Sequence, residues 1–130
     1  MPKKDKWNEE QKKLVERFKT ERGYWSAGLW QYVLESDPGF FEQYLNFSSY
    51  PNKHGRIPKK YKELIYIAIN ASTTHLYEPA LRQHMRNALK LGVTKEEILE
   101  VLEMVSVLGI HACTLGVPVL ADESRKLRIK

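Results

Sequence analysis

At 130 residues, with 42% hydrophobic residues and three Trp, seven Tyr and four Phe, the chain is long enough for one domain and too apolar for wholesale disorder. Its net charge of +5 invites a nucleic-acid partner, but much of the excess is terminal, in Lys3, Lys4, Lys6, Arg125, Lys126, Arg128 and Lys130. No helix-turn-helix, zinc-finger or ribonucleoprotein motif accompanies it, so no nucleic-acid partner is expected.

The single cysteine, Cys113, excludes an internal disulfide and a two-cysteine redox cycle within one chain. No apolar run reads as long enough to span a membrane, and the N-terminal stretch MPKKDKWNEEQKK lacks the apolar segment of a secretory signal. A cytoplasmic protein with no membrane partner is expected.

Asn8 followed by Gln11 predicts a capped helix start, and Leu14, Val15 and Phe18 recur at helical spacing up to Gly23. Tyr24, Trp25, Leu29, Trp30, Tyr32, Val33 and Leu34 predict a second, aromatic-rich helix whose rings suit core packing. Asp37-Pro38 predicts a third start, with Phe40, Phe41, Tyr44, Leu45 and Phe47 on its buried face. Paired serines, Pro51, Asn52 and Gly55 predict a loop over residues 48–57, with His54 exposed in it.

Pro58 restarts a helix that is apolar on more than one face, through Leu64, Ile65, Ile67, Ala68, Ile69 and Ala71. Such a helix is expected to be buried against several neighbours, a subunit boundary being one place to find them. Ala80, Leu81, Met85, Ala88, Leu89 and Leu91 predict the next, closed by Gly92. Thr94 with Glu97 is a capping box ahead of the apolar run of Ile98, Leu99, Val101, Leu102, Val105, Val107 and Leu108. Gly109 is expected to interrupt that run before a last helix, in which Pro118 should start a turn or bend the axis. Every periodic segment is helical, so the fold class is all-α, about six to seven helices in a single domain over residues 1–130. Its expected parts are an N-terminal helical portion (1–55), a core (56–122) and a basic tail (123–130).

Residues 73–84, TTHLYEPALRQH, gather His75, Tyr77, Glu78, Arg82 and His84 where one helix ends and another starts at Pro79. His84 is the group most easily tuned for proton transfer near neutral pH. Glu63, early in an otherwise apolar helix, favours a helix N-terminus if exposed; if it points inward it needs a partner, His84 or His75. His75, Glu78, His84 and His111 are the right residue types for a metal, but their spacings match no standard helix pair, so no metal is expected. In GIHACTLG, His111 and Cys113 point apart on a helix; Cys113 reads as a buried small hydrophobe and His111 as the better site candidate.

The segments KELIYIAINAS, QHMRNALKLGVTKEEILEVL and SVLGIHACTLGVPVL, within residues 63–120, resemble the carboxymuconolactone decarboxylase family, which includes the alkylhydroperoxidase D-like proteins. The resemblance implies an all-helical fold assembled as trimers or hexamers, with active sites near subunit contacts. It implies one of two chemistries, decarboxylation of a lactone acid or peroxide reduction by a CxxC pair relayed through a glutamate and a histidine. On that second pattern Glu63 and His84 stand at the glutamate and histidine positions. Counting forward from Glu63 puts the first cysteine position at His75, and counting back from His84 puts the pair at Tyr77 and Ala80. The two counts differ by two residues and neither meets a cysteine, so dithiol peroxidase chemistry is not expected. Glu78 and His84 resemble the decarboxylase branch's shorter spacing without matching it.

The expectation is therefore a homo-oligomeric lyase-like enzyme acting on a small organic acid or lactone by acid–base chemistry, without a cofactor. His84 would transfer the proton, with Glu63, Glu78 and His75 as its catalytic companions. Arg82, Tyr77, His111 and Cys113 would contact substrate, with Arg82 or His111 binding an anion. The alternatives are peroxidase activity through Cys113 alone, which requires an exposed thiolate, and a non-catalytic oligomeric small-ligand binder.

Overall fold

The computed structural model describes residues 7–129, so Lys3, Lys4, Lys6 and Lys130 lie outside the described residues. Among the described residues the fold is all-helical, with no strand. The α-helices are α1 (Glu9–Arg22), α2 (Leu29–Ser36), α3 (Pro38–His54), α4 (Lys59–Ala71), α5 (Glu78–Lys90), α6 (Lys95–Ser106) and α7 (His111–Lys126). A 3₁₀ turn, Val107–Ile110, joins the last two. The chain forms two compact units, one up to Lys59 and one from Lys60 onward.

In the first unit, α1 starts at the expected capping box: the Asn8 side chain accepts from the Gln11 amide at 2.8 Å and Gln11 returns the bond at 3.1 Å. It stops at Gly23, whose φ of 77° is the left-handed conformation glycine adopts without a Cβ clash. Tyr24 and Trp25 precede α2 instead of opening it, yet both rings pack on the core. That core is Leu14, Val15, Phe18, Leu34, Phe41 and Leu45. Phe18 is fully buried, with the rings of Tyr24, Trp25, Trp30 and Phe41 centred 5.3–5.7 Å away.

The expected loop over residues 48–57 is a correction. α3 runs through the paired serines and Pro51 as far as His54, whose exposed ring lies 4.5 Å from that of Tyr50. Side chains of α1 override the local turn signals. Arg22 donates to the Ser48 carbonyl at 2.8 Å, Asn52 donates to the Glu21 carbonyl at 3.0 Å, and the Glu21 carboxylate gathers Ser49, Lys53 and Arg17 within 2.7–3.1 Å. Pro51 has no amide for the Phe47 carbonyl, but Phe47 is 81% exposed and water can serve there.

Burial acts to raise the Glu21 pKa, but hydrogen bonds from Lys53, Ser49 and Arg17, with the charge of Arg17, outweigh it and hold the carboxyl below its usual range. A folded pKa lying below the unfolded one adds stability that is full above the unfolded value. That contribution is lost as pH falls through the folded value. Urea midpoints measured across the acid range should therefore fall less steeply in Glu21→Gln than in the parent below about pH 5. Parallel acid limbs would contradict this role.

In the second unit, Ile67, Ala88, Val93 and Ile98 form a core completed by Leu64, Leu81, Met85, Val101 and Leu102. Gly92 closes α5 with φ 83°. Thr94 caps α6, accepting from the Glu97 amide at 3.1 Å, while Glu97 accepts from the Thr94 amide at 2.7 Å. Removing that cap with Thr94→Ala is expected to cost about 1 kcal/mol in chemical denaturation, and Thr94→Ser to cost much less.

Three stretches of this unit refine or change the sequence expectations. On α4, Glu63, Ile67 and Asn70 are buried within the chain, while Ile65 and Ile69 are 45% and 49% exposed, which leaves their expected neighbours to a subunit boundary. Pro118 lies inside α7, which continues to Lys126, so residues 123–126 of the expected tail are helical. The stretch Lys95–Lys126 is long and apolar enough to cross a membrane by length and composition, although no such run was expected. Gly109, His111, Thr114 and Pro118 punctuate it in sequence, whereas the backbone carries it through as nearly continuous helix.

Candidate active site

Two helices of the second unit build the site. On α4, Glu63, Ile67 and Asn70 recur at four- and three-residue spacing and so share the buried face; on α5, Asn87 and Ala88 follow His84 by three and four residues and share its face. The junction between these helices folds back on α4. The Tyr77 amide donates to the Asn70 carbonyl at 3.0 Å, the Asn70 side chain donates to the Tyr66 carbonyl at 2.8 Å, and Leu76 takes a positive φ of 45° to make the turn. That return sets α5 against the face of α4 that carries the glutamate.

The Nδ1 atom of His84 lies 2.7 Å from Oε2 of Glu63, with the two side chains only 3% and 7% exposed. Nδ2 of Asn87 sits 3.5 Å from both carboxylate oxygens. Gln83 donates to Oδ1 of Asn87 at 3.0 Å, which turns the Asn87 NH₂ toward Glu63. The Tyr66 ring stacks on His84, with centroids 4.6 Å apart and planes 20° apart. A carboxylate beside Nδ1 fixes the orientation of the imidazole. Buried charge needs partners, and the glutamate, histidine and asparagine supply them to one another. The arrangement sets an oriented imidazole against a carboxylate, the geometry that general acid–base chemistry uses.

The remaining candidates lie elsewhere. Glu78 and Arg82 are exposed and pair with each other at 2.6 Å, four residues apart on α5. His75 and Tyr77 are exposed, with ring centroids 5.8 Å apart. None of these four side chains joins the Glu63–His84 pair. His111 is exposed on α7, its Nδ1 3.5 Å from the Thr114 hydroxyl. Cys113 is exposed too, which corrects the expected buried hydrophobe: no residue of α7 is buried within the chain. No group of three or more potential metal ligands comes together among the described residues.

Asn87, Gln83 and Tyr66 were missed in the sequence. Asn87 follows His84 by three residues and Tyr66 follows Glu63 by three, so each shares its partner's helix face; that spacing was the available signal.

The sequence pattern of the carboxymuconolactone decarboxylase family matches residues 38–120, nearly two thirds of the chain. The chain belongs to the carboxymuconolactone decarboxylase family. The match begins at Pro38, so α3 is part of the family region although the recognisable motifs start at Glu63. A crystal structure from Burkholderia xenovorans LB400, of a protein provisionally named a gamma-carboxymuconolactone decarboxylase subunit, is 48% identical with a TM-score of 0.85. The similarity covers 92% of this chain and 48% of that one, so the family member described here spans about half the length of its solved relative. No curated protein matches it.

Proposed function

We propose that the protein is a carboxymuconolactone decarboxylase-like enzyme acting on a small organic acid or lactone by proton transfer at His84. The observation that carries the reading is the buried Glu63–His84 pair at 2.7 Å. Loss of CO₂ from such an acid breaks a carbon–carbon bond and leaves its electron pair on the substrate. A protonated His84 can deliver its Nε2 proton to that carbon, and Glu63 stabilises the imidazolium until transfer. Asn87 holds the carboxylate and Tyr66 holds the ring plane. The scheme calls for no cofactor. Glu78 and Arg82, neutralising one another on an exposed face, are left outside the proton path.

The test is turnover of a panel of lactone acids, read as CO₂ release. His84→Gln keeps a side-chain amide to meet Glu63 but carries no titratable proton. It is expected to lower kcat roughly 10²-fold or more, the scale of a lost general acid. Unchanged turnover of an accepted substrate would overturn the assignment.

We also propose that the working form is a homo-oligomer, a trimer or hexamer. The relative being called a subunit and the broad apolar surface of α6 and α7 support this.

A second reading, a non-catalytic oligomeric small-ligand binder, draws on the dispersal of His75, Tyr77, Glu78 and Arg82 over the surface. It predicts that lactone acids bind without turnover and that His84→Gln changes only their affinity.

A further inference from the structure

The second unit carries two apolar surfaces with no partner among the described residues of that unit. One is a groove of about 570 Å³ between α4 and α6, walled by Ile65, Ala68, Ile69, Val101, Met104 and Leu108. The other is the stripe of α7 formed by Leu115 and Val119, with Val117 and Leu120 on the adjoining face, all 54–74% exposed. The stripe cannot fill the groove of its own chain. α7 leaves α6 through one 3₁₀ turn with right-handed helical angles on both sides (φ −61°, ψ −22° at Ser106 and φ −63°, ψ −22° at His111). It therefore runs onward along the helix path instead of folding back. Leu115 lies seven residues beyond Leu108, roughly 10 Å further along a helix.

We propose that α7 of a second copy of this chain occupies the α4–α6 groove. The inference deepens the self-association proposed above and is independent of the chemistry assigned to His84.

Three observations favour a second copy. The segment from Met104 to Ala121 holds no Asp, Glu, Lys or Arg, so like surfaces can meet without like charges meeting. α6 and α7 carry large apolar side chains, Leu99, Met104, Leu115, Val117 and Leu120, that are 56–74% exposed in a single copy, more contiguous apolar surface than a soluble monomer ordinarily leaves uncovered. The solved relative, described as a subunit, accompanies this fold with about as much chain again, the length of one further copy. The exchange can be reciprocal in a pair or run head to tail round a closed ring.

The test uses sedimentation velocity on the full chain at micromolar concentration. Leu115→Glu and Ile69→Lys each alter a side chain that is exposed within one copy, so the fold of a single copy, read by far-UV circular dichroism, should persist. Each alone is expected to raise the dissociation constant at least tenfold, and the double variant, which places opposite charges across every contact, to recover part of that loss. A wild-type protein that sediments as one copy overturns the proposal, as do single variants that associate like wild type or a double variant no tighter than the weaker single. Flotation of the wild type, but not of Leu115→Glu, with phosphatidylcholine vesicles would assign the stripe to a lipid surface and overturn it as well. Loss of association with retained turnover would separate this result from the His84 reading.

Discussion

Replacing His84 with alanine is expected to destabilise the second unit by about 3–5 kcal/mol, the scale for leaving a buried carboxylate without its close partner. The expected asymmetry follows from what each deletion leaves behind. Without His84, the Glu63 carboxylate remains buried with only the long contacts to Asn87, 3.5 Å to each oxygen. It must then stay charged at high cost or take up a proton. Without Glu63, the imidazole can persist as a neutral ring stacked on Tyr66. Glu63→Ala should therefore cost less than His84→Ala, and the double variant should cost well under the sum of the two. Chemical denaturation followed by circular dichroism measures all three. Additive effects of equal size would show that the pair is not coupled, and the proposed proton path would lose its physical basis.

Phe18→Ala is expected to cost about 3–5 kcal/mol, the usual range for emptying a buried phenylalanine site. Phe18 is fully buried and touches four aromatic rings, which are too stiff and too large to close over the gap. Edge-to-face contacts with Tyr24 and Trp25 are lost in addition to the buried area. All three tryptophans, Trp7, Trp25 and Trp30, belong to the first unit, so the loss should appear as a lower urea midpoint in tryptophan fluorescence. Phe18→Leu, which keeps most of the volume, should lose much less. A midpoint unchanged in Phe18→Ala would mean that Phe18 is not the centre of this core.

The helices were legible because their signals are local. Asn8 with Gln11, Asp37 with Pro38 and Thr94 with Glu97 satisfy orphan amides within one turn, and each marks a real helix start. The loop expected over residues 48–57 failed for the opposite reason. Serine, proline and asparagine disfavour helix locally, but the contacts that hold this turn come from Glu21 and Arg22, more than 25 residues away in sequence. The lone Cys113 looked like a buried hydrophobe because its neighbours are apolar. Burial depends on whether something packs against the helix, and among the described residues nothing buries any residue of α7.

Among the site residues, the sequence by itself determined the chemical inventory: a histidine, a glutamate 21 residues before it, and no cysteine where a dithiol would need one. It also determined the helical periods that carry them, because capping and amphipathic spacing act over one or two turns. Only the tertiary structure decided which candidates meet. Glu63 and His84 converge because α5 returns against the buried face of α4, whereas Glu78 and Arg82, equally prominent in sequence, neutralise each other in solvent. Asn87 and Tyr66 joined the site by the same geometry. A pairing across two helices depends on how their faces dock, and that is a property of packing between segments instead of the residues within either one.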